Sequence, residues 1–283
     1  MAEIIDGQRI AGEFCDHIRD KVQEIKKAGI EPCIALVNAS QDPSSEIYVS
    51  RKMKMAKYVG ITSLVHRFNS DATGNDVADL IGKLNDDDRI HAILLQSPLP
   101  QNFVFRELVN LIRPDKDVDG LTTLNQGRLF SGEPGIIPCT PMGVMHLLNI
   151  VHPQLAGMHA VVLGRSSIVG RPLAQLLLNA DCTVTMLHSR SKNMAEICRS
   201  ADVLVSAIGR PRFVLKNFIR PGATVIDVGV NKIEENGARK IVGDVDFDGV
   251  FGIAGAITPV PKGVGPMTVA YLMHNTLKLA YCY

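Results

Sequence analysis

Tyr48 and Lys52 stand at i and i+4 within residues 44–58, a segment with helical periodicity, so their side chains share one helix face. Gln96 closes the apolar run 90–95 and leads into Ser-Pro-Leu-Pro at 97–100, and Asp117 lies in the polar loop Pro-Asp-Lys-Asp-Val-Asp-Gly at 114–120. In open α/β sheets ligands sit beyond the carboxyl ends of strands, which is where these residues fall. Each also has a plainer reading: a solvated helix face, a local backbone bond, an ordinary turn. The Asp-rich loop lacks EF-hand spacing and its distal glutamate. No Cys/His spacing suits a metal, so no metal is expected.

A second constellation follows in the C-terminal half. The apolar run 160–163 meets Gly164, then Arg165, Ser166 and Ile168, and Gly170 opens a helical pattern over 172–178. A turn glycine that lets backbone N–H groups approach a pyrophosphate, with a helix N-terminus pointing at it, is a nucleotide loop. The second glycine of the usual G-x-G-x-x-G is missing. The next apolar strand, 183–187, ends in His188-Ser189-Arg190, with no acidic residue to hold a ribose 2′-OH. Ser189 and Arg190, with Arg165, suit a 2′-phosphate, which selects NADP over NAD. The alternative is that Ser189 and Arg190 only cap a surface loop.

The elements that must position these groups alternate. Helical signals at 8–27, 44–58 and 75–84 interleave with strand signals at 33–37, 61–68 and 90–95, which argues for a mainly parallel sheet covered by helices. Thr140-Pro141 reads as an N-cap and first turn of a new helix, and a domain hinge is placed there. Strands at 160–163, 183–187, 202–206 and 224–228 then form a second β-α-β unit, and 266–280 is a last long helix. The expected division is therefore 1–140, completed by 266–283, and 141–265. The chain has 283 residues, formal net charge +1 from 30 basic and 29 acidic residues, and 46% hydrophobic residues. That balance gives no electrostatic case for nucleic acid, and no apolar run is long enough to span a bilayer. With no secretory or transit signal at Met1 and six cysteines at non-motif spacings, the expected compartment is the cytoplasm, with reduced thiols.

Taken together, the ordered motifs Tyr48-x-x-x-Lys52, Gln96-x-Pro-x-Pro100, Lys116-Asp-Val-Asp-Gly120, Pro138-Cys-Thr-Pro141, Gly164-Arg-Ser-x-Ile-Val-Gly170 and Thr258-Pro-Val-Pro-x-Gly-Val-Gly-Pro-Met-Thr268 make the chain closely resemble the bifunctional methylenetetrahydrofolate dehydrogenase/methenyltetrahydrofolate cyclohydrolase family over essentially its whole length. The resemblance implies two α/β lobes with a cleft between them, the second a Rossmann-like NADP-binding domain. It implies two steps of one-carbon folate metabolism at one site. NADP⁺ oxidises 5,10-methylenetetrahydrofolate to the 5,10-methenyl form, and water then opens that cation to 10-formyltetrahydrofolate. It assigns Lys52 the proton transfers, Gln96 the holding of Lys52, Tyr48 the orientation of the folate rings, and Asp117 the pterin N–H groups. Val230 matches a position beside the nicotinamide, and Pro261, Lys262 and Gly263 border the folate. A homodimer through the second lobe is implied as well.

The chain departs from the family pattern at three places. Lys262 stands where a glycine is usual, the segment 37–42 before Pro43 is longer than the usual turn, and Ser97 replaces an apolar residue. These changes bear on substrate fit more than on reaction type. A family member with one activity weakened, and a non-catalytic NADP-binding protein, are the competing readings. The second expects a broken catalytic set.

Overall fold

The computed structural model describes residues 1–235 and 237–281; the C-terminal Cys282 lies outside them. The chain begins with β1 (Glu3–Ile4) and α1 (Gly7–Lys27), then alternates β2 (Cys33–Asn38), α2 (Pro43–Val59), β3 (Thr62–Arg67), α3 (Gly74–Asp86) and β4 (Ala92–Leu95). Short helices α4 (Phe105–Val109) and α5 (Thr123–Ser131) precede α6 (Cys139–Val151). The second half runs β5 (His159–Leu163), α7 (Gly170–Asn179), β6 (Thr183–Leu187), α8 (Met194–Cys198), β7 (Val203–Ser206) and β8 (Thr224–Asp227). It ends with β9 (Asn231–Glu235), β10 (Ala238–Val242), α9 (Phe247–Phe251), β11 (Ala256–Ile257) and α10 (Val264–Tyr281).

The chain divides into two compact units, Gly12–Cys139 with Val269–Tyr283, and Met1–Ala11 with Thr140–Thr268. The first holds a parallel sheet in the order β3-β2-β4. Every residue of the central β2 and of β4 is buried, the continuous apolar pattern of a parallel strand covered on both faces. Val37, Ile93 and Leu95 pack there against Val77, Ile81 and Leu84 of α3. Thr73 starts α3 with a full capping box to Asp76.

The second unit holds a six-stranded sheet in the order β1-β11-β8-β7-β5-β6, in which every strand pair is parallel. β7, β8 and β11 are buried throughout and β5 in all but its first residue, and their Val, Leu and Ile make the core. The first eleven residues, expected with the N-terminal domain, cluster here instead. Glu3 and Ile4 pair with Ala256 and Ile257, and β1 is an edge strand of this sheet. Two residues carry too little periodicity to reveal such a pairing.

Two other local expectations change. α6 begins at Cys139, so Thr140 lies within its first turn, where its hydroxyl bonds Thr268 Oγ1 at 2.9 Å. The antiparallel hairpin β9–β10 falls where no strand is expected, because half of its strand residues are charged and none is buried. Among the described residues, the five cysteines are free and buried, and no helix is long and apolar enough to cross a membrane.

Gly120 closes the Asp-rich loop with φ of +63°, and a Cβ there would lie 2.6 Å from Ile136 O and 2.9 Å from Pro138 N. Backbone on the far side cannot swing away as a side chain can. Gly120→Ala should therefore cost about 2–4 kcal/mol, combining left-handed strain and overpacking. Urea denaturation checks this; a midpoint within error of the parent would refute it.

Candidate active site

β4 delivers Gln96 to the carboxyl edge of the first sheet, where its backbone N–H donates to Val37 O at 2.8 Å and extends the ladder to β2. The side chain is 5% exposed. Its Oε1 accepts from Lys52 Nζ at 2.8 Å, and its Nε2 donates to Ser97 O at 2.5 Å. The two ends of the amide are thus fixed, and the lysine gains an oriented partner that carries no charge. Burial pushes the Lys52 ammonium below the ordinary lysine range, with the Asp119 carboxylate and then Cys139 opposing that shift. Tyr48, one turn earlier on α2, is 39% exposed.

The structure gives Asp117 different work from that expected of it. It is 1% exposed, and its oxygens accept from Leu121 N at 3.2 Å, Thr122 N at 2.8 Å and Asn125 Nδ2 at 2.9 Å. All three donors belong to the entry into α5, so this carboxylate anchors that helix. The acidic group in the electrostatic reach of Lys52 is Asp119. Burial raises its carboxyl, and Lys52 and the Cys139 thiol act against that rise. Residue type cannot separate two aspartates in one loop; only the fold does.

Asn275 of α10 also escaped the sequence reading. Its Nδ2 reaches Val118 O and Ile137 O, each at 3.0 Å, and Cys139 Sγ at 3.5 Å. It holds together the two backbone segments that flank Asp119. A polar residue on an apolar helix was its only sequence signal.

In the second unit the glycines of the nucleotide loop are required sterically. Gly164 has φ of +118°, and a Cβ there would lie 2.3 Å from Ala207 O; a Cβ on Gly170 would lie 2.2 Å from Gly164 O. This close backbone approach leaves a cradle in front of α7. Arg165, Ser166 and Ile168 are exposed around it, and Ser166 Oγ accepts from Val169 N at 3.2 Å. The pairing of Leu163 with Leu187 brings the end of β6 beside the loop, so exposed Ser189 and Arg190 share its edge of the sheet. This donor set fits an NADP diphosphate and 2′-phosphate.

Val230 is 49% exposed just beyond β8. Behind it lie two buried aspartates. Asp227 accepts from Gly229 N and Asp244 N, each at 2.9 Å, and from Val245 N at 2.8 Å. Burial pushes its carboxyl up to about 7 against the pull of those N–H groups.

Pro261 and Lys262 are exposed, and Gly263 is buried where a Cβ would meet Pro259 O at 2.5 Å. Lys262 holds φ of +85°, and its carbonyl accepts from Gln8 N at 2.9 Å. The longer segment before Pro43 is tied to its surroundings: Asn38 Oδ1 accepts from Ser45 Oγ of α2 at 3.0 Å, and Gln41 Nε2 donates to Phe68 O at 2.9 Å. Ser97 is exposed and meets Gln96 through its carbonyl, so its side-chain type does not touch the Lys52 partner. Among the described residues no group of three or more His, Cys, Asp or Glu could hold a metal ion.

Two family models match the chain. The tetrahydrofolate dehydrogenase/cyclohydrolase catalytic domain matches residues 5–119, and the NAD(P)-binding domain of the same description matches 138–282. Bifunctional protein FolD 2 of Pseudomonas savastanoi pv. phaseolicola is 47% identical over 279 residues, 99% of this chain and 93% of that protein. The bifunctional methylenetetrahydrofolate dehydrogenase/cyclohydrolase of Campylobacter jejuni has a TM-score of 0.96 at 41% identity, covering 100% of this chain and 99% of that one. The Trypanosoma brucei enzyme, solved with NADP and an inhibitor, has a TM-score of 0.95 at 34% identity, covering 99% and 98%.

The left-handed backbone of Lys262 carries a strain that glycine would not. Lys262→Gly should raise the stability of the folded chain by about 1 kcal/mol, after the greater flexibility of glycine in the unfolded state is counted. Thermal denaturation checks it; an unchanged or lower midpoint would refute the strain.

Proposed function

We propose that this chain, which belongs to the tetrahydrofolate dehydrogenase/cyclohydrolase family, oxidises 5,10-methylenetetrahydrofolate with NADP⁺ and then hydrolyses the 5,10-methenyl product to 10-formyltetrahydrofolate. The observation that carries this reading is the Lys52–Gln96 pair, a desolvated lysine with an oriented neutral partner, at the carboxyl edge of the first sheet. NADP⁺, when bound, supplies the hydride acceptor, and loss of the hydride leaves a cationic one-carbon bridge on the folate. Arg165, Ser166, Ser189 and Arg190 hold the phosphates, and Ile168 and Val230 lie along the same edge.

Lys52 acts in the second step. Its neutral amine takes a proton from the water that attacks the methenyl carbon, so the C–O bond forms and a neutral carbinolamine results. One C–N bond of the ring then breaks, the hydroxyl loses its proton to become the formyl carbonyl, the departing ring nitrogen gains a proton, and one proton is released overall. A cationic substrate favours the uncharged amine, as burial does. Gln96 keeps the amine in place without adding charge. Asp119, rather than Asp117, is positioned to accept N–H groups of the pterin and to steady the cation, and Tyr48 orients the folate rings. Pro261, Lys262 and Gly263 form the loop assigned to the folate.

We assign the folate lobe to Gly12–Cys139 with the last helix and the NADP lobe to Met1–Ala11 with Thr140–Thr268. We also propose a cytoplasmic homodimer paired through the NADP lobe. The buried, unpaired state of the five described cysteines supports a reducing compartment.

Lys52→Met should abolish ring opening while leaving much of the NADP⁺-dependent step; cyclohydrolase activity surviving that change would refute the role given to Lys52. The rate of ring opening at saturating substrate, corrected for spontaneous hydrolysis, should rise with pH through an apparent pKa below the usual 10.4. The Asp119 charge favours the ammonium, so Asp119→Asn should move the rising limb to lower pH. A shift to higher pH would contradict the pairing. The double change Ser189→Ala, Arg190→Ala should lower the preference for NADP⁺ over NAD⁺ at least about tenfold, by removing charge-assisted bonds to the 2′-phosphate; equal losses with both cofactors would refute that contact.

A further inference from the structure

The turn after β7 is built around a side chain. Asp244 is fully buried, and its two oxygens gather five donors: Ile208 N at 2.8 Å, Gly209 N at 3.1 Å, Arg210 N at 2.9 Å, Ser206 Oγ at 3.2 Å and Asn231 Nδ2 at 2.9 Å. Three successive backbone N–H groups converge on one carboxylate, the arrangement with which a chain wraps an anion. The fifth donor comes from the first residue of β9, immediately after Val230. One carboxylate therefore binds the turn at the end of β7 to the turn at the end of β8.

The surroundings leave Asp244 little freedom. Its own N–H donates to Asp227 Oδ1 at 2.9 Å, and a Cβ on Gly229 would lie 2.2 Å from Asp244 Oδ1. A Cβ on Gly243 would lie 1.8 Å from Asp227 Oδ2. Both glycines flank the pair because the carboxylates occupy the space a side chain would need. The turn so fixed begins at Ala207, whose carbonyl sets the close approach of Gly164 and whose N–H donates to Leu163 O at 2.8 Å. The cluster thus abuts the nucleotide loop on one side and carries exposed Val230 on the other.

We propose that Asp244 is a positioning residue for the nicotinamide half of the cofactor, clamping the turns after β7 and β8 into one surface on which that half rests. The inference rests on the NADP-dependent reading above. Asp244 touches no reacting atom in this scheme. It acts through the backbone of residues 207–210 and through Val230, while the adenosine half is held by Arg165, Ser189 and Arg190 on the other side of the Gly164 loop.

The test is Asp244→Asn, which keeps the shape and replaces one accepting oxygen with an N–H₂ that faces backbone donors. Cofactor affinity is measured by calorimetry with NADP⁺ and, separately, with adenosine 2′,5′-bisphosphate, alongside steady-state dehydrogenase kinetics and ring opening of methenyltetrahydrofolate without cofactor. The expected result is a Kd and KM for NADP⁺ raised tenfold or more, with the bisphosphate Kd and the ring-opening rate within twofold of the parent. Unchanged NADP⁺ affinity in a variant that still opens the ring overturns the proposal. So does equal weakening of NADP⁺ and the bisphosphate, which would mark a general loosening of the lobe. Should Asp244→Asn fail to fold, Asn231→Ala removes the tie to the second turn alone and should raise the NADP⁺ Kd at least threefold with the bisphosphate unaffected; no change there overturns the proposal. A parent protein that binds NADP⁺ without oxidising the folate would refute the folate reading, while the two Kd values still decide the role of Asp244.

Discussion

An ammonium or carboxylate taken out of water loses hydration worth several kcal/mol even after the protein relaxes, and it keeps its charge only where enough partners replace that hydration. Lys52, Lys116, Asp119, Asp227 and Asp244 all live under this constraint, and the chain answers it differently at each. Lys116 donates to Leu84 O at 3.2 Å and Asp87 O at 2.8 Å, at the carboxyl end of α3, where the helix dipole also favours a cation. Asp244 collects five donors. Both are well supplied, and both build loops. Lys52 has one neutral hydrogen-bond partner, Gln96, and a carboxylate in its field. Burial lowers the pKa of Lys116 as it does that of Lys52, so the two differ in their partners: backbone carbonyls tie Lys116 into a loop, whereas Lys52 meets a side-chain amide, as the role proposed for it requires.

The same logic distinguishes the two aspartates of the Lys-Asp-Val-Asp-Gly loop. Asp117 has three donors and no exposed surface left with which to meet a ligand. Asp119, held up by burial and opposed by Lys52, has capacity to spare. Asp117 builds the loop, Asp119 is left for the ligand role proposed for it, and Gly120 supplies the turn between them and the next segment.

What was legible in the sequence follows from how local its causes are. Strands such as β2, β4 and β5 announce themselves because burial on both faces demands an unbroken apolar run. The Gly164–Gly170 loop is legible because backbone packing against Ala207 and against Gly164 itself forces the residue type. Lys52 and Gln96 could be named as a pair through the resemblance, not through their separation in the chain. β1 and β11 are too short to show periodicity, and β1 exists only through its pairing with β11. Asn275 and Asp244 act across long sequence separations on backbone groups, and backbone groups leave no trace in residue types.

The departures from the family pattern yield to the same reasoning about where a change is absorbed. The longer segment before Pro43 bonds within itself through Asn38 and Ser40 and to the end of β3 through Gln41, and α2 still presents Lys52 to Gln96 at 2.8 Å. Ser97 contributes only a carbonyl to that pair, and carbonyls are common to every residue. Lys262 differs in kind, because its cost lies in its own backbone, where no neighbour can relieve it. Two of the three changes are therefore neutral by construction for the lysine site. The third adds an exposed cation to the loop that packs on the N-terminal segment, where Gly7 and Gln8 meet Gly263 and Lys262. A cation on that loop can attract an anionic part of a ligand.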